Sequence, residues 1–498
     1  MITFLAAIVM LVIGYVIYGS IVERVFKPCP ALKTPAMRKD ADGVDYVPMN
    51  WKKVLLIQFI SIAGTGPIFG AIAGAMWGPA AYFWIVFGCI FAGATHDYLS
   101  GMLSVRNNGA SASEIVGKYL GSTPRNIMRV FSIVLLILVG TVFITSPAMI
   151  FNSLMIFKNL AAEGTRHFLF IAIVVIIIYY IAATISPIDK IIGRIYPAFG
   201  VLLTFMAVGI LITLFTSGQM QNAPEFEFRN FHPAKMAIFP FLFITIACGA
   251  ISGFHATQAP LMARCMRNEK EGRRIFYGSM VLEGVVAMVW AAAAMTFFGG
   301  TEGLSKAGPA PVVVNTVSIA LMGTVLGTIA IVGVIFFPIT SGDTAFRAAR
   351  LTLADSFKFS QKPIKNRLLL ALPLFAIGVA LTWFAIANAQ NFGIIWRYFA
   401  WSNQTLATIM LWAGAVYLAK TGKFYWIALI PATFMTVVVI CYIIIAPEGL
   451  RLPYMVGIIA GLVTAAALFA AFIYFIAIKQ RGTLAEEEAA QIRDGERE

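Results

Sequence analysis

The sequence predicts an all-α integral membrane protein. Hydrophobic residues make up 60% of its 498 residues, charged residues make up 12%, and the mean hydropathy is +0.84. The apolar residues fall into runs of about 20, which is the length that crosses a bilayer as a helix. None of these runs shows the weak alternating pattern of an outer-membrane barrel strand. These observations exclude a soluble domain of this size and predict one membrane-embedded domain.

Thirteen apolar runs are long enough to span a bilayer as helices. We number them spans 1 to 13 in chain order; their approximate bounds are 2–22, 53–76, 80–104, 127–156, 168–186, 196–217, 235–262, 275–298, 312–345, 366–388, 393–419, 424–446 and 453–478. Span 1 has no basic residue before its apolar run and no small-residue cleavage site after it. We therefore interpret it as a retained helix and not as a secretory signal.

The net charge of +14 is a signal of membrane topology. Of the 37 lysines and arginines, 30 lie in the loops that follow odd-numbered spans, on one side of the predicted membrane. Positive residues stay in the cytoplasm, which predicts an N-terminus outside and a C-terminus inside the cell. The same surplus attracts anionic lipid of the bilayer, and its distribution argues against binding of nucleic acid.

Two spans are interrupted near the predicted membrane centre by glycine, proline and small hydroxyl residues. Span 2 carries Gly64-Thr65-Gly66-Pro67, and span 7 carries Ser252-Gly253 with Pro260 two turns later. A broken helix persists in hydrocarbon only where it is buried or lines a cavity, because its freed polar groups need partners. A matched pair of such breaks indicates a transporter binding site. The alternative is a pair of proline kinks whose glycines allow close helix packing.

The predicted topology gives the two breaks opposite directions. Span 2 enters from the cytoplasm and span 7 enters from outside, so spans 2–6 and 7–11 form two five-helix units of inverted orientation. The predicted organisation is an extra helix and cytoplasmic loop at 1–52, a first repeat at 53–217, a second repeat at 218–422, and two C-terminal helices with a cytoplasmic tail at 423–498. Two short helical stretches, 111–120 and 311–322, are candidate gates over the cavity mouths.

The predicted substrate-binding residues lie at the breaks and in span 11. Half-helix amide ends favour an anion and carbonyl ends favour a cation. We expect Gly64 to end one half-helix in a left-handed conformation and Pro67 to start the next. The full predicted set is Gly64, Thr65, Gly66, Pro67, Ser252, Gly253, His255, Thr257, Gln258, Asn403 and Gln404. Asn403 and Gln404 are equally interpretable as hydrogen-bonding residues between helices.

Four intramembrane residues are candidates for proton coupling: His96, Asp97, His255 and Asp343. A histidine in a span titrates in a useful range and can relay a proton. His255 has the alternative role of a structural donor to an unwound carbonyl, and His96-Asp97 has that of a helix cap, which we favour. Asp343 precedes Arg347 by one turn, where an ordinary salt bridge is expected. Glu283 is expected to pair with a cytoplasmic base.

A sodium-like site is the second possibility for ion coupling. The carbonyl of Ala63 and the hydroxyls of Thr340 and Ser341 are hard oxygen ligands of the kind a small cation prefers. The alternative is that both hydroxyls bond to the preceding turn of their own helix. The chain has no catalytic motif and its five cysteines show no metal-ligand spacing. We therefore expect no enzyme activity and no cofactor, with H⁺ as the coupling ion and Na⁺ as the alternative.

At these motifs the chain resembles the carbon starvation protein A family. The stretches that carry the resemblance are 45–48, 62–70, 92–97, 106–109, 250–255, 340–347 and 402–404. The resemblance implies the five-plus-five inverted-repeat fold of the amino acid–polyamine–organocation transporters. It also implies uptake of peptides or pyruvate across a bacterial inner membrane during nutrient limitation, coupled to protons.

The predicted function is cation-coupled symport of a small carboxylate. Pyruvate ranks ahead of di- or tripeptides, because a peptide needs an acidic partner for its amine and few intramembrane carboxylates are available. A starvation sensor without transport ranks low, since the tail is too short for a signalling domain. A channel would carry polar residues along whole helix faces, whereas polarity here concentrates at the breaks. The predicted partners are a small-molecule substrate and the lipid bilayer.

Overall fold

The computed structural model describes residues 1–38, 46–153, 165–185, 188–227, 229–357, 359, 363–487 and 490. Regular secondary structure in these ranges is helical throughout, which confirms the predicted all-α class. The α-helices are Ile2–Val16, Tyr18–Phe26, Trp51–Ile62, Gly66–Gly74, Ala80–Phe83, Ala94–Arg106, Ala112–Leu120, Ser122–Ser153, Thr165–Ile185, Ile188–Thr216, Phe241–Thr245, Gly253–Ala263, Gly278–Phe297, Thr301–Lys306, Ala310–Phe357, Ile364–Ala387, Ala389–Lys420, Trp426–Ile445 and Tyr454–Ala471. Wider π-helical turns occupy Trp84–Gly93, Arg273–Tyr277 and Phe472–Ile478, and short 3₁₀ turns occupy Pro35–Met37, Ala75–Trp77, Gln219–Asn222 and Glu269–Glu271.

The described helices are those of a multi-pass membrane protein. Seven are long and apolar enough to cross a bilayer, and a bent pair in span 2 makes eight. Spans 5 and 6 contain shorter apolar helices, Phe168–Thr184 and Gly200–Thr216. Spans 3 and 7 are divided into short pieces by a π-helical stretch and by a break, so length alone does not identify them. The count of thirteen spans stays a prediction.

Spans 2 and 7 run antiparallel along their whole length. At the start of span 2 the amide of Met49 donates to the carbonyl of Cys265, at the end of span 7, over 2.9 Å. At the other end, the indole of Trp77 donates to the carbonyls of Met236 and Ala237, over 3.1 and 3.2 Å. Each helix therefore begins where its partner ends, as the opposite directions of the two breaks predict.

Loops predicted to be cytoplasmic meet around one buried ion pair. Glu269 accepts hydrogen bonds from Arg106 Nε and Nη2, at 3.1 and 3.0 Å, and from the amide of Cys29, at 2.8 Å. Arg106 also donates to the carbonyl of Lys27. Burial, together with the nearby Arg106 charge, lowers the pKa of Lys423 to about 6, so this lysine is mostly neutral at pH 7. Arg106 is then the main charge that Glu269 balances.

The other side of the molecule joins the N-terminus to the segment between spans 6 and 7. The ammonium of Met1 donates to Glu225 over 2.5 Å, and the amides of Ile2 and Thr3 donate to the same carboxylate over 2.8 and 2.9 Å. These contacts hold the pKa of Glu225 at about 2. The two segments share a side, as the alternating topology requires; which side faces the cytoplasm stays a prediction.

We expect Glu269→Gln to lower the free energy of unfolding by about 3–5 kcal/mol, because Arg106 would remain as a buried and unbalanced cation. Chemical denaturation in detergent measures this loss. The matched control is Glu302→Gln, at an exposed position. Equal stability of the two variants would contradict the assignment of the ion pair as a clamp.

Both predicted short helices are present. The first, Ala112–Leu120, begins with a capping box in which Ser111 and Glu114 satisfy each other's backbone amides. The second ends at Gly323, whose φ of +76° turns the chain before the long helix continues. Such a conformation favours glycine because it has no Cβ. The role of these helices as gates stays a prediction.

Candidate functional site

Span 2 is broken after Ile62 and resumes at Gly66, with Pro67 in the first turn of its second half, as predicted. The two halves are bent by 50°. The prediction that Gly64 is left-handed is wrong, since its φ is not positive. Glycine is needed there for packing instead, because a Cβ would lie 2.4 Å from the ring of Phe143.

Span 7 is broken between Thr245 and Gly253. Ser252 is extended, with φ −142° and ψ 121°, and Gly253 is the first residue of the second half-helix. Gly249 takes a left-handed φ of +88° within the break, a conformation that a residue with a Cβ rarely adopts. The predicted unwinding at Ser252 is therefore present, and the left-handed glycine belongs to this break and not to the first.

Asn403 and Gln404 of span 11 satisfy the unwound backbone of span 7. Asn403 Oδ1 accepts the amide of Phe254 over 2.7 Å and the hydroxyl of Ser252 over 3.1 Å. Gln404 Nε2 donates to the carbonyl of Phe243. These bonds cap both sides of the break. The contacts support the interpretation of the pair as hydrogen-bonding residues between helices.

The two breaks are in direct contact. A Cβ on Gly66 would lie 2.4 Å from Cys248 Sγ, and a Cβ on Gly74 would lie 2.2 Å from Ile246 Cγ1. Both glycines thus let the second half of span 2 approach the break of span 7. The amide end of one half-helix lies against the unwound chain of the other, which brings the predicted residues of both breaks into one buried region.

Four titratable side chains form a continuous buried chain beside the breaks. Asp97 Oδ1 lies 2.8 Å from His96 Nδ1, and Asp97 Oδ2 lies 2.8 Å from His255 Nδ1. On the other face of the ring, His255 Nε2 lies 3.2 Å from Glu283 Oε2. All four side chains have no solvent exposure. The chain joins spans 3, 7 and 8.

The geometry of this chain leaves one proton undetermined. Each imidazole uses Nδ1–H to donate to Asp97. His255 Nε2 and Glu283 Oε2 lie 3.2 Å apart, within ion-pair distance, but neither atom has an aligned hydrogen bond, so a proton on either atom would satisfy both. That proton sits on the nitrogen as an ion pair or on the oxygen as a neutral acid. In both states the four side chains carry one net negative charge, and loss of the proton would add a second, which costs several kcal/mol at membrane depth. The arrangement is therefore suited to holding one proton.

The structure corrects two expectations about this chain. Glu283 does not pair with a cytoplasmic base; its carboxylate reaches His255 of span 7, with Oε2 3.2 Å from Nε2. His96 and Asp97 do not cap a helix end, since both lie within Ala94–Arg106 and Asp97 bonds to His96 and to His255 of span 7.

Cys248 lies near this chain, but we do not interpret it as part of a metal site. Its sulfur, His255 and Glu283 have ligand atoms within 4.8 Å of one another. However, Cys248 Sγ accepts from Asn403 Nδ2 over 3.4 Å and donates to Ser252 Oγ over 3.6 Å. These contacts use the sulfur as a protonated thiol, whereas a metal ligand is a thiolate. We therefore interpret Cys248 as a hydrogen-bonding residue of the break and not as a metal ligand.

Several buried polar atoms at the breaks have no hydrogen-bond partner in the described structure. They include Thr65 Oγ1, both amide atoms of Gln58 and Oε1 of Gln258. Thr257 Oγ1 donates to the carbonyl of Phe254 over 2.7 Å, and Gln258 Nε2 donates to Thr257. Orphaned polar groups of this kind in a native interior call for a ligand or water. Gln58 was assigned no role from the sequence; its position one turn before the break was the available signal.

At the predicted sodium-like site, one of the two hydroxyls makes the alternative contact, a hydrogen bond within its own helix. Thr340 Oγ1 donates to the carbonyl of Phe337 over 2.8 Å, in its own helix. Ser341 Oγ lies 3.5 Å from the carbonyl of Ile60, one turn before Ala63. Span 9 thus faces the first break, and sodium binding stays a prediction.

Asp343 forms the salt bridge that its spacing predicts. Its Oδ1 lies 3.7 Å from Arg347 Nη2, and Arg347 Nη2 also donates to the carbonyl of Ala183 over 2.8 Å. Asp343 therefore has a fixed cationic neighbour, whereas His255 has two carboxylates. This contrast makes His255 the stronger candidate for a mobile proton.

Similarity to solved structures supports a transporter fold. The chain superposes on the crystal structure of MhsT in complex with L-phenylalanine with a TM-score of 0.58 at 12% identity, covering 86% of this chain and 99% of that one. It superposes on a manganese transporter of Eremococcus coleocola with a TM-score of 0.53 at 13% identity, covering 92% and 99%. At these identities the likeness concerns the fold alone.

Curated relatives cover most of the chain. An uncharacterised membrane protein of Haemophilus influenzae is 43% identical over 349 residues, which are 62% of this chain and 94% of the relative. The peptide transporter CstA of Campylobacter jejuni is 27% identical over 87% of this chain and 78% of its own length. The pyruvate/proton symporter BtsT of Escherichia coli is 29% identical over 57% of this chain, which spans only 47% of that relative.

A family model agrees with these relatives. The model described as carbon starvation protein CstA matches residues 1–183, 158–302 and 298–442, which together extend over most of the chain. The chain therefore belongs to the carbon starvation protein CstA family.

Proposed function

We propose that this protein is a secondary active transporter that takes up small carboxylates, with pyruvate favoured, by proton symport. The observation that carries the proposal is the contact between two antiparallel broken helices beside the buried chain His96–Asp97–His255–Glu283. The relatives named as a peptide transporter and a pyruvate/proton symporter support transport as the function. No such support exists for a starvation sensor that does not transport.

The proposed architecture is a core of two inverted five-helix repeats, spans 2–6 and 7–11, in a bacterial inner membrane. The antiparallel contact of spans 2 and 7 and the transporter-like fold support this arrangement. The concentration of basic residues in one set of loops supports an N-terminus outside and a C-terminus in the cytoplasm. Rocking of one bundle against the rest would alternate access to the breaks.

The substrate carboxylate is proposed to bind at the amide end of the second half of span 2. The first-turn amides of Gly66 and Ile68 have no acceptor within the helix, and Pro67 between them has no N–H. A helix N-terminus attracts an anion through these amides and the helix dipole. Thr65 Oγ1, buried and unpartnered, is a further donor at the same place.

The coupling proton is proposed to move on His255 and Glu283. Uptake of an anion together with one proton transfers no net charge across the membrane, so the cycle does no work against the membrane potential. Asp97 fixes the ring of His255 through Nδ1, which leaves Nε2 to exchange the proton with Glu283. Asp97 and His96 are then positioning residues for the imidazole that moves the proton.

Two alternatives share this architecture. Uptake of di- or tripeptides is favoured by the names of several relatives. It requires an acidic partner for the peptide amine, and the carboxylates at the breaks are engaged with histidine. Sodium coupling would use the Ala63 carbonyl with Thr340 and Ser341, and the contact of Ser341 with span 2 is compatible with it.

Radiolabelled uptake into proteoliposomes under an imposed proton or sodium gradient tests the proposal. We expect pyruvate to accumulate when the outside is acidic, and a dipeptide to neither accumulate nor compete. Accumulation of the dipeptide alone would contradict the assigned substrate, and accumulation with sodium alone would contradict the assigned ion. If uptake proves sodium-dependent, Thr340→Ala should remove that dependence.

Thr65→Val should raise the pyruvate KM about tenfold, because one hydrogen bond to a charged group contributes roughly 1.5 kcal/mol. The variant keeps the volume and shape of the side chain, so we expect the protein to remain folded. Thr216→Val, at an exposed position at the end of span 6, is the matched control. An unchanged KM would place the carboxylate elsewhere.

A further inference from the structure

A cavity of about 390 Å³ opens at the end of the molecule where the basic loops lie. Its walls come from the second half of span 7, from span 9, from span 4 and from the start of helix Ala112–Leu120. Thr257 marks its inner end, two residues beyond His255, and Arg264 marks its outer end. The cavity thus follows the half-helix that carries His255 from the break toward the cytoplasmic side.

The polar lining of this cavity suits an anion. Among its lining residues that the structure describes are two arginines, Arg264 and Arg347, and several hydroxyls, but no carboxylate. A small carboxylate is matched by such a lining, whereas the ammonium of a zwitterionic peptide would find no counter-charge. The volume accommodates either ligand, so charge and not size distinguishes them.

The two arginines differ in how many of their N–H donors already have a hydrogen-bond partner. Arg264 donates from Nε and Nη2 to the carbonyl of Gly109, over 3.0 and 2.9 Å, and stacks over Tyr46. Arg347 donates from Nη2 to Ala183 and lies 3.7 Å from Asp343, a distance too long for a strong hydrogen bond. Its Nε is buried and has no hydrogen-bond partner.

We propose that this cavity is a cytoplasmic carboxylate station, in which Arg347 binds the substrate carboxylate after it leaves the breaks. The inference rests on the proposed transport and adds a second substrate position to it. Arg347 is 8% exposed, so its guanidinium acts in a mostly dry environment where an ion pair is stronger than in water. A guanidinium has five donors and can hold the substrate while it keeps its contacts with Ala183 and Asp343.

The station acts on one side of the membrane only. A substrate that arrives from the cytoplasm meets Arg347 before the breaks, and a substrate from outside meets the breaks first. Loss of the Arg347 charge should therefore weaken apparent affinity at the cytoplasmic face and leave affinity at the outer face nearly unchanged. A merely structural defect would alter both faces together.

Pyruvate–pyruvate exchange in right-side-out and inside-out membrane vesicles tests this asymmetry without a proton gradient. We expect Arg347→Gln to raise the cytoplasmic KM tenfold or more and the external KM less than twofold. The charge-balanced pair Asp343→Asn with Arg347→Gln should show the same asymmetry and guards against misfolding caused by an unpaired Asp343. Arg229→Gln, an exposed arginine paired with Glu227 in the loop before span 7, is the control.

The outcomes separate this inference from the proposed function. If the wild-type protein exchanges pyruvate and the charge-balanced variant shows equal KM changes at both faces, or no KM change, the carboxylate station alone is overturned. Absence of pyruvate exchange by the wild-type protein at either face overturns the proposed function and the station with it.

Discussion

Replacement of His255 with glutamine should reduce proton-driven pyruvate accumulation by about 100-fold or more, as expected when a proton-transfer group is removed. Glutamine can still donate to Asp97, so the bond that orients this position survives, but it cannot carry a proton to Glu283. Proteoliposome uptake under an acidic-outside gradient measures the loss. Pyruvate exchange without a gradient should persist, because it does not require net proton movement.

His232→Gln is the matched control for this experiment. His232 packs against Trp77 with ring centroids 4.5 Å apart, in the segment before span 7 and away from the buried chain. We expect the His232→Gln variant to accumulate pyruvate to the wild-type level. Full accumulation by the His255 variant would remove His255 from the coupling mechanism.

Gly253→Ala should abolish transport and lower the free energy of unfolding by about 3 kcal/mol or more. An added Cβ would lie 2.3 Å from the carbonyl oxygen of Asn403 and 2.6 Å from the amide nitrogen of Ala407. These are backbone atoms of span 11 and cannot rotate away. Overpacking of this kind typically costs 1–3 kcal/mol. Displacement of Asn403 would also leave the buried amide of Phe254 without its acceptor.

Gly278→Ala is the control for this substitution. The nearest atoms to a Cβ on Gly278 are at 3.4 and 3.5 Å, which is ordinary van der Waals contact. Thermal unfolding in detergent, together with uptake, compares the two variants. Equal stability would mean that spans 7 and 11 are not locked together at the break.

The sequence predicts the two breaks because the physics that permits them is local. Pro67 removes an amide, and Ser252 and Gly253 weaken the helix, so the residues themselves indicate where the spans come apart. The opposite directions of the spans follow from their being five spans apart, and the distribution of basic residues predicts which side is cytoplasmic. The two short helices, between spans 3 and 4 and between spans 8 and 9, were also indicated by the local sequence.

Contacts between distant spans are less accessible to sequence reasoning. Gly64 has the residue type for a left-handed turn, but the ring of Phe143 is what requires a glycine there. Glu283 has basic residues nearby in the chain, yet its neighbour in space is His255. Each correction depends on how helices pack, which a hydrophobic pattern does not specify.

The assembly of the buried chain is the feature that needed the structure most. His96, Asp97 and His255 were each identifiable as unusual within an apolar span, but their joining into one path with Glu283 involves three spans. The unpartnered Gln58 was likewise visible only as one polar residue near a break. Of the residues that carry the resemblance to the family, Asp45 lies outside the described part of the chain, as does most of the C-terminal tail.

Simultaneous measurement of proton and pyruvate flux tests the central claim most directly. Proteoliposomes containing the purified protein and a trapped pH-sensitive dye, with no membrane potential, receive external pyruvate. We expect the lumen to acidify as pyruvate enters, and Glu283→Gln to lose this acidification. Pyruvate entry without acidification, at the same rate with or without a protonophore, would contradict proton symport through the buried chain.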